Sequence, residues 1–306
     1  MVIDQKRPSI WMLVAILQVY VWIYEVPKIC KPFWTNTFAN YSDETSEFIL
    51  NLSVILFFLC YVAAMIPVYY FAQHPWIDQY KIQKDKPWPW LSKDEKTRND
   101  FWKLTKRSVK FISFNIFFLV PVMSYGKIMI LSKLNMGGTS FATDEESWPK
   151  PFRSFIDCII LSIIHEFGFY ATHRLCHVYP FLYKYHKVHH EYKMNVAWCA
   201  QHNHPVDFIL SIGGPGLLFI SLYPCHSMTQ FQFILWVMYA NLDDHCGFSF
   251  PWSPVRWFPF AAPTDEHEFH HSKNIGCFGS KLDIYNRLLG GHEHYLKWNE
   301  KRQKAQ

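Results

Sequence analysis

The sequence is poor in charged residues. Asp, Glu, Lys and Arg make up only 18% of its 306 residues, whereas 50% are hydrophobic and 19% are aromatic. Soluble domains usually carry about 25% charged residues. The deficit is concentrated in four or five long apolar runs. A soluble protein of this length, one large domain or two small ones, would have to bury all of them, so the composition favours a membrane protein.

Several familiar signatures are also absent. Without a Gly-x-Ser-x-Gly elbow, the sequence gives no support to a serine hydrolase. The eight cysteines are scattered and form no Cys-x-x-Cys pair, so disulfides are not indicated. No basic motif is interleaved with aromatic residues. We therefore expect the net charge of +5 to contact a membrane surface and not nucleic acid. Strand-like alternation is absent too, which predicts an all-α fold.

The apolar runs predict about four membrane-spanning helices. Residues 48–71 contain no charge and residues 111–131 contain a single lysine. Both runs reach the length of about 20 residues that a helix needs to cross a bilayer. We expect the runs at 155–172 and 208–223 to be spans or re-entrant helices.

The N-terminus resembles a signal peptide in outline but lacks a cleavage site of small residues. We therefore expect the run at 10–26 to be a retained anchor or an interfacial helix. The predicted organisation is an N-terminal segment, residues 1–47, followed by one membrane domain, residues 48–306.

Charge predicts the orientation of these helices. Ten Lys and Arg residues lie between positions 81 and 110. The positive-inside rule places that segment in the cytoplasm. If residues 111–131 and 155–172 form a membrane hairpin, the chain returns to the cytoplasmic side just before His173. The sequence thus predicts polytopic membrane helices with a histidine-rich helical cap on the cytoplasmic face.

Histidine, unlike the charged residues, is abundant in this sequence. Eight of the sixteen histidines form three clusters. They read His173-x3-His177, His186-x2-His189-His190 and His267-x2-His270-His271. Residues three and four apart lie on one face of a helix, so each cluster directs its imidazoles to one side. A lone buried histidine is usually a packing residue, but this repeated spacing favours metal ligation.

Imidazole binds zinc, copper, iron and nickel, and so many histidines exceed the needs of one metal. A pair of redox metals at a membrane face suits attack by O2 on an unactivated C–H bond of a lipid. Zinc-dependent hydrolysis is an alternative from the ligands alone. Among the remaining histidines, His165 is expected to be a core residue or to line a pocket, and His202 is an alternative to His204 as a ligand.

The three clusters resemble those of the membrane-bound fatty acid hydroxylase and sterol desaturase superfamily. Other stretches are similar to its C4-methylsterol monooxygenase branch. These are Tyr80-Lys-Ile-Gln-Lys-Asp-Lys-Pro87, Tyr183-Lys-Tyr-His-Lys-Val-His-His-Glu191, His204-Pro205, Asp244-His245-x-Gly247 and His267-Glu-Phe-His-His271.

The resemblance implies a membrane monooxygenase with a di-iron centre. It implies stepwise O2-dependent oxidation of a sterol 4-methyl group through alcohol and aldehyde to carboxylate. Electrons would come from NAD(P)H through a cytochrome b5-type carrier, in the membrane of the endoplasmic reticulum or another internal membrane. The metal ligands it implies are His173, His177, His186, His189, His190, His204, His245, His267, His270 and His271.

Two alternatives stay open at this point. One is another chemistry of the superfamily, either sterol desaturation or hydroxylation of a fatty-acyl or sphingoid chain. The other is a non-catalytic membrane subunit that retains the fold within a larger complex. The second is motivated by two departures from the family pattern, Asp207 where the family often has Glu and Asn286 where it tends to have Asp. A changed carboxylate near a ligand alters the group that orients it.

Overall fold

The structure is a computed structural model that describes residues 10–38, 40–134, 141–142, 144, 146–258 and 260–304. The first nine residues of the predicted N-terminal segment lie outside the described part. Within these ranges the chain forms helices and no strand. Its β-pairing is limited to the isolated bridges Lys81–Phe248 and Ala261–Leu282. The prediction of an all-α fold is confirmed.

Four helices of the described chain are long and apolar enough to cross a membrane. The prediction of about four spans is therefore confirmed. The N-terminal run, expected to be an anchor or interfacial helix, is itself one of these four. They are α1 Ile10–Phe38, α2 Asp43–Tyr70, α3 Glu95–Lys133 and α4 Pro151–Val178.

Capping residues explain where these helices begin. The Ser42 hydroxyl accepts a hydrogen bond from the Thr45 amide at the start of α2. The Asp94 carboxylate accepts the amides of the first turn of α3. Both satisfy N–H groups that have no partner within the helix. Helix α4 begins at Pro151, whose missing N–H costs nothing in the first turn.

The spans differ in how much of their surface the protein covers. In the most apolar windows of α1 and α2, only 17% and 22% of residues are buried, against 39% in both α3 and α4. Large apolar side chains such as Leu13, Leu17 and Leu56 are exposed. Such a surface is stable when it faces lipid, so α1 and α2 contribute mainly to the outside of the bundle.

The remaining helices pack against the spans and against one another. Helix α6 packs against α2 and α4, and a π-helix, Phe208–Phe219, packs along α4. The labelled helices are α5 Pro180–His186, α6 Ser227–Asp244, α7 Thr264–Lys273, α8 Ile284–Leu289 and α9 His292–Lys304. Short helical turns join them at Pro75–Asp78, Pro89–Leu91, His189–Glu191, Ala197–Gln201, Pro205–Asp207, Ile220–Leu222 and Pro254–Trp257.

The apolar run at 208–223 does not form a fifth span. It is not among the four helices of the described chain that could cross a membrane. A π-helix of 12 residues is flanked directly by the short turns Pro205–Asp207 and Ile220–Leu222. Gly213 and Pro215 lie within it, and both disfavour a regular α-helix. The expectation of a span or a re-entrant helix is thus narrowed to a short helix buried against α4.

A buried tyrosine fixes the end of α2 to the segments that carry histidines. The Tyr69 hydroxyl accepts the Ala197 amide at 2.6 Å and donates to the Cys246 carbonyl at 2.9 Å. Gly247 follows in the left-handed region, with φ of 78°. A Cβ at Gly247 would lie 2.6 Å from the Asn195 carbonyl oxygen, so only glycine permits this approach.

Candidate metal centre

Four parts of the chain bring nine histidines together. Helix α4 ends with His173 and His177, and the end of α5 with the following turn carries the second cluster. His245 stands at the C-terminal end of α6, and α7 carries the third cluster. The nine residues are His173, His177, His186, His189, His190, His245, His267, His270 and His271.

Five of these residues form what we call the first group, His173, His177, His186, His190 and His270. Their Nε2 atoms point at one another. The Nε2–Nε2 distance is 2.9 Å from His186 to His190, 3.1 Å from His173 to His270 and 3.3 Å from His173 to His177. The ring of His177 is half-buried and the other four are buried.

The other four form the second group, His189, His245, His267 and His271, all of them buried. Its centre is His245, whose Nε2 lies 3.0 Å from Nε2 of His267, 3.1 Å from that of His271 and 3.3 Å from that of His189. The group therefore presents four ring nitrogens to one point.

Neighbouring residues in the chain serve different groups. His190 belongs to the first group and His189 to the second, and the same holds for His270 and His271. Consecutive residues of a helix point about 100° apart, so a pair of adjacent histidines can reach two centres side by side. The rings of His190 and His271 are only 4.7 Å apart, which makes the two groups direct neighbours.

His204 is the one predicted ligand that the structure brings to neither group. Its Nδ1 accepts the Val206 amide at 3.2 Å and so caps the turn that begins at Pro205. Its ring packs against Tyr185 and Phe111. The alternative, His202, also lies outside both groups, since its Nε2 contacts Glu191 at 3.0 Å.

Hydrogen bonds at Nδ1 determine which nitrogen each anchored ring presents. His173 and His270 donate to the carbonyls of Phe278 and Gly276, both at 2.6 Å. His186 donates to Asp207 at 2.9 Å, and His245 donates to the Asn241 carbonyl at 2.7 Å. With the proton on Nδ1, Nε2 carries a lone pair directed into the group.

The distances between the Nε2 lone pairs show whether a metal ion fits between the rings. In the first group, Nε2 of His173 is 3.0 Å from that of His186 and 3.1 Å from that of His270. Two acceptors at this separation repel each other and form no hydrogen bond. A cation bound to each nitrogen at about 2.0–2.1 Å removes the repulsion and sets neighbouring nitrogens about 3 Å apart. The donor set therefore fits a transition metal in each group.

Burial keeps the imidazoles in the neutral form that can bind a metal ion. Desolvation lowers the pKa values of His190, His267 and His271 well below their ordinary value of 6.5. It lowers the pKa of His245 to about 3. These rings are neutral at physiological pH, and a neutral imidazole is the form that binds metal.

The outer side of α7 is held by buried polar contacts. Glu266 accepts hydrogen bonds from Asn286 at 3.0 Å and from His292 at 3.1 Å. Glu268 accepts the Asn195 amide at 3.3 Å and the side chain of Gln83. Burial raises the pKa of Glu268 to about 7. Asn286 therefore contacts a glutamate and not a histidine of either group.

An apolar cavity approaches the two groups from between the spans. Its volume is about 120 Å³. Helices α2, α3, α4 and α6 and the π-helix form its walls, with Phe58, Ile116 and Val237 among the lining residues. A smaller pocket is bordered by His173 and His186 of the first group and His189 and His245 of the second.

The cavity and the pocket adjoin each other. Phe169, Ile212 and Asn241 line both of them. The cavity between the spans therefore shares a wall with the pocket that borders both histidine groups. His165 is buried and lines the cavity, in agreement with both roles considered for it from the sequence.

Two cavity residues were not predicted from the sequence. Asn241 lies one helical turn before His245, and that spacing could have indicated it. Lys281 lies in the loop before α8, where a lysine resembles any surface residue. Glu166, in the same region, accepts the backbone amides of Ser280 and Lys281 at 2.7 and 3.1 Å.

Comparison with known proteins agrees with this geometry. The model of the family described as fatty acid hydroxylase matches residues 158–291, which include all nine histidines of the two groups. Over this range the chain is similar to the fatty acid hydroxylase family. No solved structure matches it.

Curated relatives point to one branch of this family. The chain is 27% identical over 280 residues to methylsterol monooxygenase 1 of Gallus gallus, covering 90% of this chain and 86% of the relative. It is 28% identical to the Rattus norvegicus protein of the same name, over 82% of this chain and 80% of the relative. A shorter match, 31% identical over 140 residues, covers 44% of this chain and 46% of the C-4 methylsterol oxidase of Schizosaccharomyces pombe.

Proposed function

We propose that the protein is a di-iron, O2-dependent membrane monooxygenase that oxidises a methyl group at C4 of a sterol. The observation that carries the proposal is the junction of the apolar cavity with a pocket bordered by both histidine groups. The sterol and the reaction are taken from the relatives, which are named methylsterol monooxygenase or C-4 methylsterol oxidase.

In this proposal the nine histidines of the two groups hold two iron ions, and His204 is not a ligand. Iron bound there supplies the activation of O2 that attack on an unactivated C–H bond requires. The chain's own task is to fix the rings. Backbone carbonyls at Phe278, Gly276 and Asn241 orient three of them, and Asp207 orients a fourth.

The cavity would bind the sterol and exclude water from the reacting carbon. Its aliphatic and aromatic walls favour a rigid apolar ring system by the hydrophobic effect. Phe169 and Ile212 narrow the passage to the histidines. They would admit the end of the sterol that carries the methyl group and hold it in one orientation.

The distribution of charge supports an orientation for the protein in the membrane. The Lys- and Arg-rich segment at 81–110 supports a cytoplasmic location for the cap, by the positive-inside rule.

The exposure of the rings suggests where electrons enter the centre. His177 is the only half-buried ring of the nine, so electrons would enter through the first group. We propose that they come from NAD(P)H through a cytochrome b5-type carrier, in the endoplasmic reticulum or another internal membrane.

The test is turnover of a defined sterol by the purified full chain. The protein is prepared anaerobically in lipid nanodiscs and given a 4,4-dimethylsterol, a reductant and O2. Products are measured by mass spectrometry. We expect C4-oxidised sterol that depends on O2 and is absent from the His271→Ala variant.

Two results would contradict the proposal in different ways. Turnover of a fatty-acyl lipid with no C4-oxidised sterol would refute the substrate and retain the oxygenase. Absence of any oxidised lipid, together with less than about one metal ion per chain, would refute catalysis and favour a scaffold subunit, since nine ligands would then hold no centre.

A further inference from the structure

Lys281 places a positive charge inside the apolar cavity. The residue is only 8% exposed and lines the cavity between the spans. Its Nζ donates to the Ser280 hydroxyl at 2.8 Å and lies 4.5 Å from the centre of the Phe169 ring. Phe169 also borders the pocket between the histidine groups, so the charge lies beside the passage to them.

Among the described residues, no carboxylate lies within ion-pair distance of this ammonium. Glu166 and Asp244 interact with it electrostatically from further away. Glu166 accepts the backbone amide of Lys281 and not its ammonium. An ammonium has three N–H groups, and the Ser280 hydroxyl takes one of them. A buried charge with unused donors is costly unless a ligand completes it.

Two residues that line the same cavity each carry a buried polar atom without a partner among the described residues. Nδ1 of His165 and Oδ1 of Asn241 are buried and have no hydrogen-bond partner among the described residues. Both residues line the cavity, and Asn241 also lines the pocket between the histidine groups. We refer to Lys281, His165 and Asn241 as the polar cluster. It combines one cation with donor and acceptor atoms around the passage.

We propose that the polar cluster binds the oxygen atoms that oxidation adds to the substrate, with Lys281 pairing with the carboxylate of the acid stage. This inference rests on the proposed function. A methyl-bearing sterol has no charge, and its oxidised carbon would sit where Phe169 and Asn241 meet. A carboxylate formed in an apolar cavity needs a counter-charge, which Lys281 supplies.

The step concerned is the last oxidation. The aldehyde, R–CHO, takes up one oxygen atom from O2, and two electrons and two protons reduce the other atom to water. The product is R–COOH. Its proton leaves to solvent, and R–COO⁻ pairs with the ammonium. The reductant is the NAD(P)H-linked carrier of the proposed function, and Lys281 itself is neither oxidised nor consumed.

The first experiment measures how far oxidation proceeds. Wild type, Lys281→Met and Lys281→Arg are given the 4,4-dimethylsterol, reductant and O2, and the 4-hydroxymethyl, 4-formyl and 4-carboxy products are quantified. Methionine matches the length of lysine without its charge, and arginine keeps the charge. We expect the acid fraction of total product to fall at least about tenfold in Lys281→Met and to be retained in Lys281→Arg.

The product ratio separates this proposal from the one it rests on. An unchanged acid fraction in Lys281→Met would overturn the role of Lys281 while the proposed function stands. Wild type without any C4-oxidised product would overturn both. A change in total turnover alone does not decide the matter, because a purely structural lysine alters total turnover and leaves the ratio unchanged.

A second measurement does not require the variants to fold. Wild-type protein is titrated anaerobically with a 4-carboxysterol and with its methyl ester, and binding is followed by the thermal shift of the protein. We expect the free acid to bind at least about tenfold more tightly. Equal affinity, or tighter binding of the ester, would overturn the proposal.

Discussion

The two histidine groups share a geometry and differ in how their rings are held. In the first group, three of five rings donate Nδ1–H to a fixed acceptor, namely His173, His186 and His270. In the second, only His245 of four does so. Nδ1 of His189, His267 and His271 has no partner among the described residues. The fold therefore orients most rings of the first group. The orientation of the rings in the second group depends more on the metal that they bind.

This difference shows that the two histidine groups are held in place by different kinds of contact. Two backbone carbonyls and Asp207 orient the first group, and such contacts fix tautomer and ring together. In the second group the described residues make such a contact with only one ring, that of His245. Hydrogen bonds of Glu266 and Glu268 instead hold helix α7, which carries two of the four rings. We infer that the first group is formed before metal binds and that metal completes the second.

The largest expected effect comes from two adjacent substitutions on α7. His270→Ala removes a ligand of the first group, and His271→Ala removes one of the second. Each should lower the metal content from two ions per chain to about one and reduce turnover by more than about 100-fold, since loss of an outer contact alone costs 10–100-fold. Elemental analysis and product formation measure both. Full metal content in either variant would contradict the ligand assignment.

Asp207→Ala should reduce the difference in ring support between the two groups. Its carboxylate accepts the Nδ1–H of His186, so its loss frees a ring of the first group only. We expect metal affinity of the first group to fall by about 10–100-fold, with the second group unchanged. Competition with a metal chelator measures both affinities. Asp157→Ala is the matched control, because its carboxylate binds Arg153 and Tyr223 away from the histidines.

Limited chelation of the wild-type protein tests the order of metal loss. Because the fold orients three rings of the first group and one of the second, the second group should release its metal first. We expect two kinetic phases of metal release. In His271→Ala the faster phase should disappear, and in His270→Ala the slower one. A single phase shared by both groups would show that their support is equivalent.

The membrane spans and the convergence of the histidines could be predicted from the sequence, whereas the division into two groups could not. Charge-free runs predict the spans, because a bilayer demands length and apolarity that are properties of a local stretch. The i, i+3, i+4 spacing predicts convergence of histidines for the same local reason. The division into five and four depends on how α4, α5, α6 and α7 dock, which no local pattern encodes. His204, predicted as a ligand, lies outside both groups, and its ring caps the turn that begins at Pro205.

Asn286→Asp probes the support behind the second group. The Asn286 amide donates to Glu266 and to the Gly279 carbonyl, and both contacts are buried. A carboxylate there loses these donors and repels Glu266, so we expect a loss of about 2–4 kcal/mol in the free energy of unfolding at neutral pH. The penalty should shrink as pH falls and the introduced group takes up a proton. Unaltered thermal stability at pH 7 would refute this role.

The smallest effect is a pH dependence of α9. Its hydrogen bond to Glu266 raises the pKa of His292 above the ordinary value of 6.5. The stabilisation is therefore complete below pH 6.5 and is lost as pH rises through the folded-state pKa. Hydrogen exchange of α9, corrected for intrinsic rates, should show protection that declines as pH rises through the folded-state pKa of His292. His292→Gln should remove this dependence, and protection that rises with pH in wild type would contradict it.

The most direct test of the account is the metal content of the wild-type chain. Protein purified anaerobically from iron-supplied cells is analysed for all transition metals, and the ions are counted per chain. The account predicts two iron ions, one for each histidine group. Less than about one ion per chain, from protein that is folded by hydrogen exchange, would contradict it, since lone pairs packed about 3 Å apart would then have no cation between them.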